Sequence, residues 1–203
     1  MTILPSPSQC LDFFEQYQVP RNIKEHCLAV QKVAVFLAEQ LLTAGISLNL
    51  ELVRAGSLLH DLFKAVSIQD TKSDKWNRRK FTEEEEAMRE ELRKKYAGKF
   101  ENEIAFDIFK DRYPELALVL KNEGDPYRRE RTWEESLIHY ADYRIFQDTV
   151  VSLESRFAYF REAYPAKEGF WEEYLAYCKR EEEKIFEHLP FSPEELGEKM
   201  IHG

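Results

Sequence analysis

The stretch from Pro20 to Gly45 most constrains what this chain can become. Ile23, Cys27, Val30, Ala34, Leu37 and Leu41 recur across it at intervals of three or four residues, a spacing that lines one face of an α-helix and no face of a β-strand. Pro20 is a favourable residue at a helix start and Gly45 a favourable one just past an end. A long helix that is apolar along one stripe needs partners to cover it. A second apolar segment, from about residue 50 to 63, carries Leu52, Ala55, Leu59 and Phe63 on one side, with Gly56 inside it. Glycine in a helix interior costs about 1 kcal/mol relative to alanine, so Gly56 marks either the close approach of another helix or simple tolerance.

The rest of the chain reads the same way. Helices are expected near residues 8 to 17, 101 to 111, 115 to 123, 152 to 163, 168 to 188 and 193 to 200. Thr82 with Glu85, and Thr132 with Glu135, fit the Ser/Thr-x-x-Glu pattern that satisfies free amides at a helix start. The second of these opens a helix running through Asp142 towards Gln147. Residues 66 to 81 are polar, aperiodic and rich in cations, as expected of a surface loop. With only seven glycines and eight prolines in 203 residues, and 43% hydrophobic residues to fill a core, the expected architecture is all-α and a single domain. Its core would span about 18 to 150, with a helical extension over about 151 to 203 that either packs on the bundle or mediates self-association, leaving homo-oligomers open.

Charge and cysteines narrow the partners. A formal net charge of −9 opposes a long polyanion, so duplex nucleic acid is not expected, although a small anion can still bind locally. Cys10, Cys27 and Cys178 are too few and too widely spaced for a disulfide framework or a CxxC knuckle. The start, MTILPSPSQC, has no basic segment leading into an apolar block, and no stretch approaches the roughly 18 apolar residues of a membrane span. The expectation is a reduced, cytoplasmic protein that does not enter a membrane.

Two histidines and two aspartates stand out against this background. His26 shares its stripe with Ile23, Val30 and Leu37; His60 and Asp61 lie near the end of an apolar helix in LLHDLFK; Asp142 falls between Ile138 and Ile145 at helical spacing. A carboxylate facing a core needs a compensating partner, because an unpaired buried charge costs several kcal/mol. A salt bridge would serve, and so would one divalent cation shared by two carboxylates and two imidazoles. Adjacent His60 and Asp61 project about 100° apart on a helix, which lets both reach one point at its edge.

The segments EHCLAVQKVAVFLAEQLL, GSLLHDLFK and HYADYRI together resemble the H…HD…D signature of the HD superfamily of metal-dependent phosphohydrolases. The resemblance covers roughly residues 18 to 150 and implies a helical bundle in which His26, His60, Asp61 and Asp142 bind the metal. It also implies phosphate-ester hydrolysis, with Asp61 and Lys64 in catalytic roles. Many relatives add two histidines that create a second metal position. Here no histidine occurs between His60 and His139, which argues against that arrangement. Glu103 or Glu123 would then contact a metal or its water, or be an ordinary solvated helix charge.

Imidazole and carboxylate donors suit one divalent ion of the Mn, Fe, Co, Ni or Zn group. Such an ion supplies Lewis acidity and an acidified water. Candidate phosphate contacts are Lys64, one turn past His60, and Arg144, two residues beyond Asp142, with Lys72, Lys75, Arg78, Arg79 and Lys80 as a group in the loop. His139, Tyr140, Tyr143 and Cys27 are expected to be structural. The leading functional expectation is hydrolysis of a small phosphate ester, with nucleotides the class the resemblance implies. The alternative is a metal-binding HD module that senses a ligand with little or no turnover.

Overall fold

The structure is a computed structural model that describes residues 3–68, 80–126, 128 and 130–202. Helix α1 (Pro7–Gln16) leads into the long α2 (Arg21–Thr43), followed by α3 (Leu50–Leu59), a single turn α4 (Lys64–Ser67), α5 (Glu83–Lys95), α6 (Glu101–Phe109), α7 (Pro114–Glu123) and α8 (Trp133–Arg144). A two-stranded antiparallel hairpin, β1 (Ile145–Phe146) with β2 (Thr149–Val150), joins α8 to α9 (Leu153–Ala163) and α10 (Phe170–Phe186), and the chain closes with a 3-10 turn and α11 (Leu196–His202). Apart from this hairpin, the described residues form an all-α bundle with additional C-terminal helices.

Local chemistry sets most of these boundaries. The six stripe residues of α2 are all buried, each Val, Leu or Ile contributing roughly 1.5–3 kcal/mol when removed from water. After Ala44, Gly45 takes φ +88°, and the Gly45 and Ile46 amides donate to the carbonyls of Leu42 and Leu41, the paired bonds that end a helix through a left-handed residue. Reciprocal capping boxes form at Thr82 with Glu85 and at Thr132 with Glu135; each cap is worth about 1 kcal/mol.

Helices α2, α3 and α8 pack on one another and define where a site can form. At Gly56, α3 comes close to Ile138 of α8 and Val119 of α7. A Cβ built there would lie 2.5 Å from Cδ1 of Ile138 and 3.3 Å from Cγ1 of Val119, so close packing explains this glycine.

Two boundaries depart from the sequence reading. Helix α3 stops at Leu59 and does not continue to Phe63. The Nδ1 of His60 donates to the Ser57 carbonyl at 2.8 Å, and the Leu62 amide bonds the Leu59 carbonyl three residues back; the backbone therefore tightens into a turn. Helix α8 ends at Arg144 and gives way to the hairpin, whose turn residue Gln147 adopts φ +59°. Of the loop over residues 66 to 81, residues 69 to 79 lie outside the described ones.

Helices α9 and α10 pack together and against α8 through Tyr143, Phe157, Phe160 and Tyr174, whose ring centroids lie 5.4–5.9 Å apart. Polar bonds tie the same surfaces. Fully buried His139 meets Glu181 at 2.5 Å through Nδ1 and the Tyr174 hydroxyl at 2.7 Å through Nε2. No helix among the described residues is long and apolar enough to cross a membrane.

Candidate metal centre

His26, His60, Asp61 and Asp142 meet where α2, the turn after α3, and α8 converge. Nε2 of His26 lies 2.8 Å from Oδ1 of Asp142 and 4.0 Å from Oδ2 of Asp61. Nε2 of His60 lies 3.7 Å from the same Asp142 oxygen and 3.8 Å from the same Asp61 oxygen. One ligand atom each from His26, His60 and Asp142 falls within 4.8 Å of the others. Asp61 faces the group with one oxygen and Lys64 with the other, at 3.6 Å. The side chains of His26, Asp61 and Asp142 keep 13%, 18% and 19% of their surface exposed, whereas that of His60 keeps 1%. The cluster is thus open on the His26 side and closed behind His60.

Both rings are oriented from their far nitrogens. His60 Nδ1 donates to the Ser57 carbonyl, and His26 Nδ1 donates to the Gln147 carbonyl at 3.2 Å. His26 Nε2 donates to Asp142 at 2.8 Å and His60 Nε2 faces both carboxylates; with each Nδ1 tied to a carbonyl, the Nε2 atoms are the ones presented to a cation. His60 Nε2 is buried and makes no hydrogen bond. An orphaned ring nitrogen facing two carboxylates leaves acceptors gathered around a gap, and the group that fits such a gap is a cation. The donor set is imidazole and carboxylate, which suits a borderline divalent ion.

The titration tendencies follow from the same geometry. Burial opposes a charge on His60, but the adjacent Asp61 carboxylate and the other contacts outweigh it and hold its pKa well above the ordinary value. Burial would raise Asp142, yet the hydrogen bond to His26 and the nearby His60 ring keep it well below the usual carboxylate range. Asp61 is likewise lowered against its burial, by Lys64 and then His60. The Asp61 carboxylate raises Lys64 well above its normal value, with Glu101 adding to the effect. Without a metal, the two carboxylates draw in whatever positive charge the neighbouring side chains offer.

Lys64, at the start of α4, lies on the edge of the cluster. Its ammonium donates to Oε1 of Glu101 at 3.1 Å, and the other Glu101 oxygen accepts from Ser67. The Lys64 side chain remains 44% exposed. From the sequence, Glu101 stands only where relatives tend to place the first additional histidine, and its contacts with Lys64 and Ser67 of α4 become visible only in the fold.

The two glutamates considered as extra metal contacts part ways. Glu103 caps its own helix by accepting from the Phe100 amide at 2.9 Å. Glu123, at the end of α7, feels burial first and then His60, Asp142, His139 and Asp61, with a net upward shift in pKa; it belongs to the electrostatic surroundings of the cluster. Cys27 is fully buried beneath it, against His60 and the main chain of Asp61, and burial pushes its thiol pKa up, as suits packing and not nucleophilic use.

Arg144 is a correction. It is buried, and its guanidinium donates to the carbonyls of Val151 (2.6 Å) and Pro193 (2.9 Å), to the Tyr140 hydroxyl, and to Glu182 (3.0 Å). It anchors the C-terminal helices. The cavity beside it, about 230 Å³, is lined by Glu154, Glu182, Glu183 and Glu194 with Lys179, a setting that repels phosphate. Of the loop cations, Lys72, Lys75, Arg78 and Arg79 lie outside the described residues, and Lys80 is exposed.

A helical bundle that gathers two imidazoles and two carboxylates from three packed segments, with a buried ring nitrogen left open among them, is a helical protein with a His/Asp group that could hold a metal. The HD domain family model matches residues 23–144, more than half of the chain, and the chain belongs to the HD domain family. That family indicates the metal-dependent phosphohydrolase superfamily, and HD domains bind divalent metals. No curated protein and no solved structure matches the chain.

Proposed function

We propose that this protein is a metal-dependent hydrolase of a small phosphate ester, with nucleotides as the substrate class. The observation that carries the reading is the orphaned Nε2 of His60, aimed with His26 into the Asp61 and Asp142 carboxylates within the HD-matching region. His26, His60, Asp61 and Asp142 would hold one divalent ion of the Mn, Fe, Co, Ni or Zn group. That ion supplies Lewis acidity and lowers the pKa of water. The remaining work falls to the chain.

The carbonyls of Ser57 and Gln147 fix the imidazole tautomers, so that neither ring must reorient before ligation. Lys64 has three N–H donors. Glu101 takes one, the Asp61 carboxylate lies 3.6 Å away, and the side chain is 44% exposed. It is placed to hold a phosphoryl oxygen, and its charge offsets that of the phosphate against the two aspartates. Closure of the His60 side keeps solvent behind the cluster out and leaves approach from the His26 side.

Elemental analysis of protein purified without chelator, beside an Asp61→Ala variant, tests the reading when followed by assays on phosphate esters with added Mn, Co or Ni. Near-stoichiometric metal and hydrolysis, both lost in the variant, are expected. Metal without turnover on any ester would replace the hydrolase with a ligand-sensing module, and absence of metal from the wild type would refute the centre.

A further inference from the structure

Lys64 stands between two carboxylates and is hydrogen-bonded to one of them. Its ammonium donates to Oε1 of Glu101 at 3.1 Å, whereas Oδ1 of Asp61 lies 3.6 Å away, within ion-pair range and too far for a good hydrogen bond. A closure of about 0.7 Å would bring the ammonium to the roughly 2.9 Å of a hydrogen bond to Asp61. The two residues share one turn, with the Lys64 amide donating to the Asp61 carbonyl at 3.0 Å, and the lysine stem is flexible. The bond to Glu101 therefore sets where the ammonium rests.

Glu101 is itself held. It occupies the first position of α6, where a helix favours negative charge. Its second carboxylate oxygen accepts from the Ser67 hydroxyl of α4, and its side chain keeps only 20% of its surface exposed. The place of the Lys64 ammonium matters to the centre because Asp61 turns Oδ2 towards His26 and His60 and Oδ1 towards Lys64. An ammonium bonded to Oδ1 would offset the carboxylate's charge and compete with a metal for it; an ammonium bonded to Glu101 leaves that charge to the metal.

We infer that Glu101 is a positioning residue for the metal centre, holding the Lys64 ammonium off Asp61 so that the Asp61 carboxylate is left to the divalent cation. The inference rests on the metal centre of the reading above.

The test is calorimetric titration of Mn into chelator-treated wild type, Glu101→Gln, Lys64→Met and the double variant, with melting temperatures measured alongside. Glu101→Gln keeps the size of the side chain and removes its charge. Fixed charges act on a bound cation additively, so a Glu101 that contributed only its own charge, or only packing, would cost the same Mn affinity with or without Lys64. Lys64→Met should bind Mn more tightly than wild type, and Glu101→Gln should lose at least about fivefold more affinity in the Lys64 protein than in the Lys64→Met protein. Ser67→Ala, which releases the other Glu101 oxygen, should show the same dependence on Lys64 to a smaller extent. Equal losses in the two backgrounds, or a Lys64→Met protein that binds Mn more weakly than wild type, overturns the inference and leaves the metal centre standing. The expected coupling in a protein that hydrolyses no ester supports the inference and defeats only the hydrolase, whereas a wild type that binds no Mn overturns both.

Discussion

The contact at Gly56 allows a double-mutant cycle whose outcome can be worked from the structure. In Gly56→Ala the new methyl would lie 2.5 Å from Cδ1 of Ile138, 3.3 Å from Cγ1 of Val119 and 3.8 Å from Cγ1 of Ile138. Carbon atoms at optimal separation stand about 3.5–4.0 Å apart, so the first contact forces a movement in a region where Ile138 is fully buried. Overpacking of this kind costs roughly 1–3 kcal/mol. Alanine returns about 1 kcal/mol of helix propensity, which leaves a net destabilisation of about 1 kcal/mol. Ile138→Val alone removes the clashing Cδ1 and costs about 1 kcal/mol through the space it leaves. In the double variant the methyl occupies that space and meets only the 3.8 Å contact with position 138, while the propensity gain is kept. Its stability should lie close to that of wild type, giving a coupling of about 2 kcal/mol between the positions. Urea denaturation of the four proteins, with the slopes compared to confirm two-state behaviour, measures this directly. Because His60 directly follows α3 and α8 carries Asp142, Gly56→Ala should also weaken metal binding and the double variant should restore it. Single effects that add to within about 0.5 kcal/mol would show that α3 and α8 do not meet through Gly56 and Ile138, and would refute the reasoning.

Three further outcomes are expected. Arg144→Met should destabilise the fold by about 3 kcal/mol, because it strips a buried cation from Glu182 and from two carbonyls; metal content should not change, and loss of metal in a variant of normal stability would place Arg144 back at the site. Gln147→Val should weaken metal binding, since a β-branched residue resists the φ of +59° that presents the carbonyl to His26; Gln147→Gly should preserve it, and equal affinities for the two variants would remove the turn from any role. In chelated protein, the raised pKa of His60 means that its protonated form stabilises the fold fully below the unfolded value of about 6.5, and that this contribution is lost as pH rises through the higher folded value. With Mn added the slope should reverse, because binding requires the neutral imidazole; melting temperatures across this range that fall equally with and without Mn would contradict His60 as a ligand.

What could be read from the sequence was what short segments determine by themselves. The α2 stripe, its glycine terminator and the capping boxes at Thr82 and Thr132 depend on residues within a turn or two of each other, and they appear where expected. The end of α3 was misplaced because the His60 ring bonds a carbonyl of its own helix, a choice that apolar periodicity does not report. The hairpin after α8 gave no signal: its strands have two residues each, and its left-handed turn position is occupied by glutamine where glycine or asparagine would have been recognisable.

Two arginines show how far sequence proximity misleads and how elementary geometry corrects it. Arg144 drew attention as a neighbour of Asp142, two residues away. On an α-helix, two residues are a rotation of about 200°, so if Asp142 faces the cluster, Arg144 must face away from it. It does, and it spends its donors on the C-terminal helices. Arg156 lies fourteen positions beyond Asp142, yet the hairpin turns α9 back so that this side chain stands over Phe146, next to the residue that holds His26. The turn that periodicity could not show is thus what brings α9 back against β1.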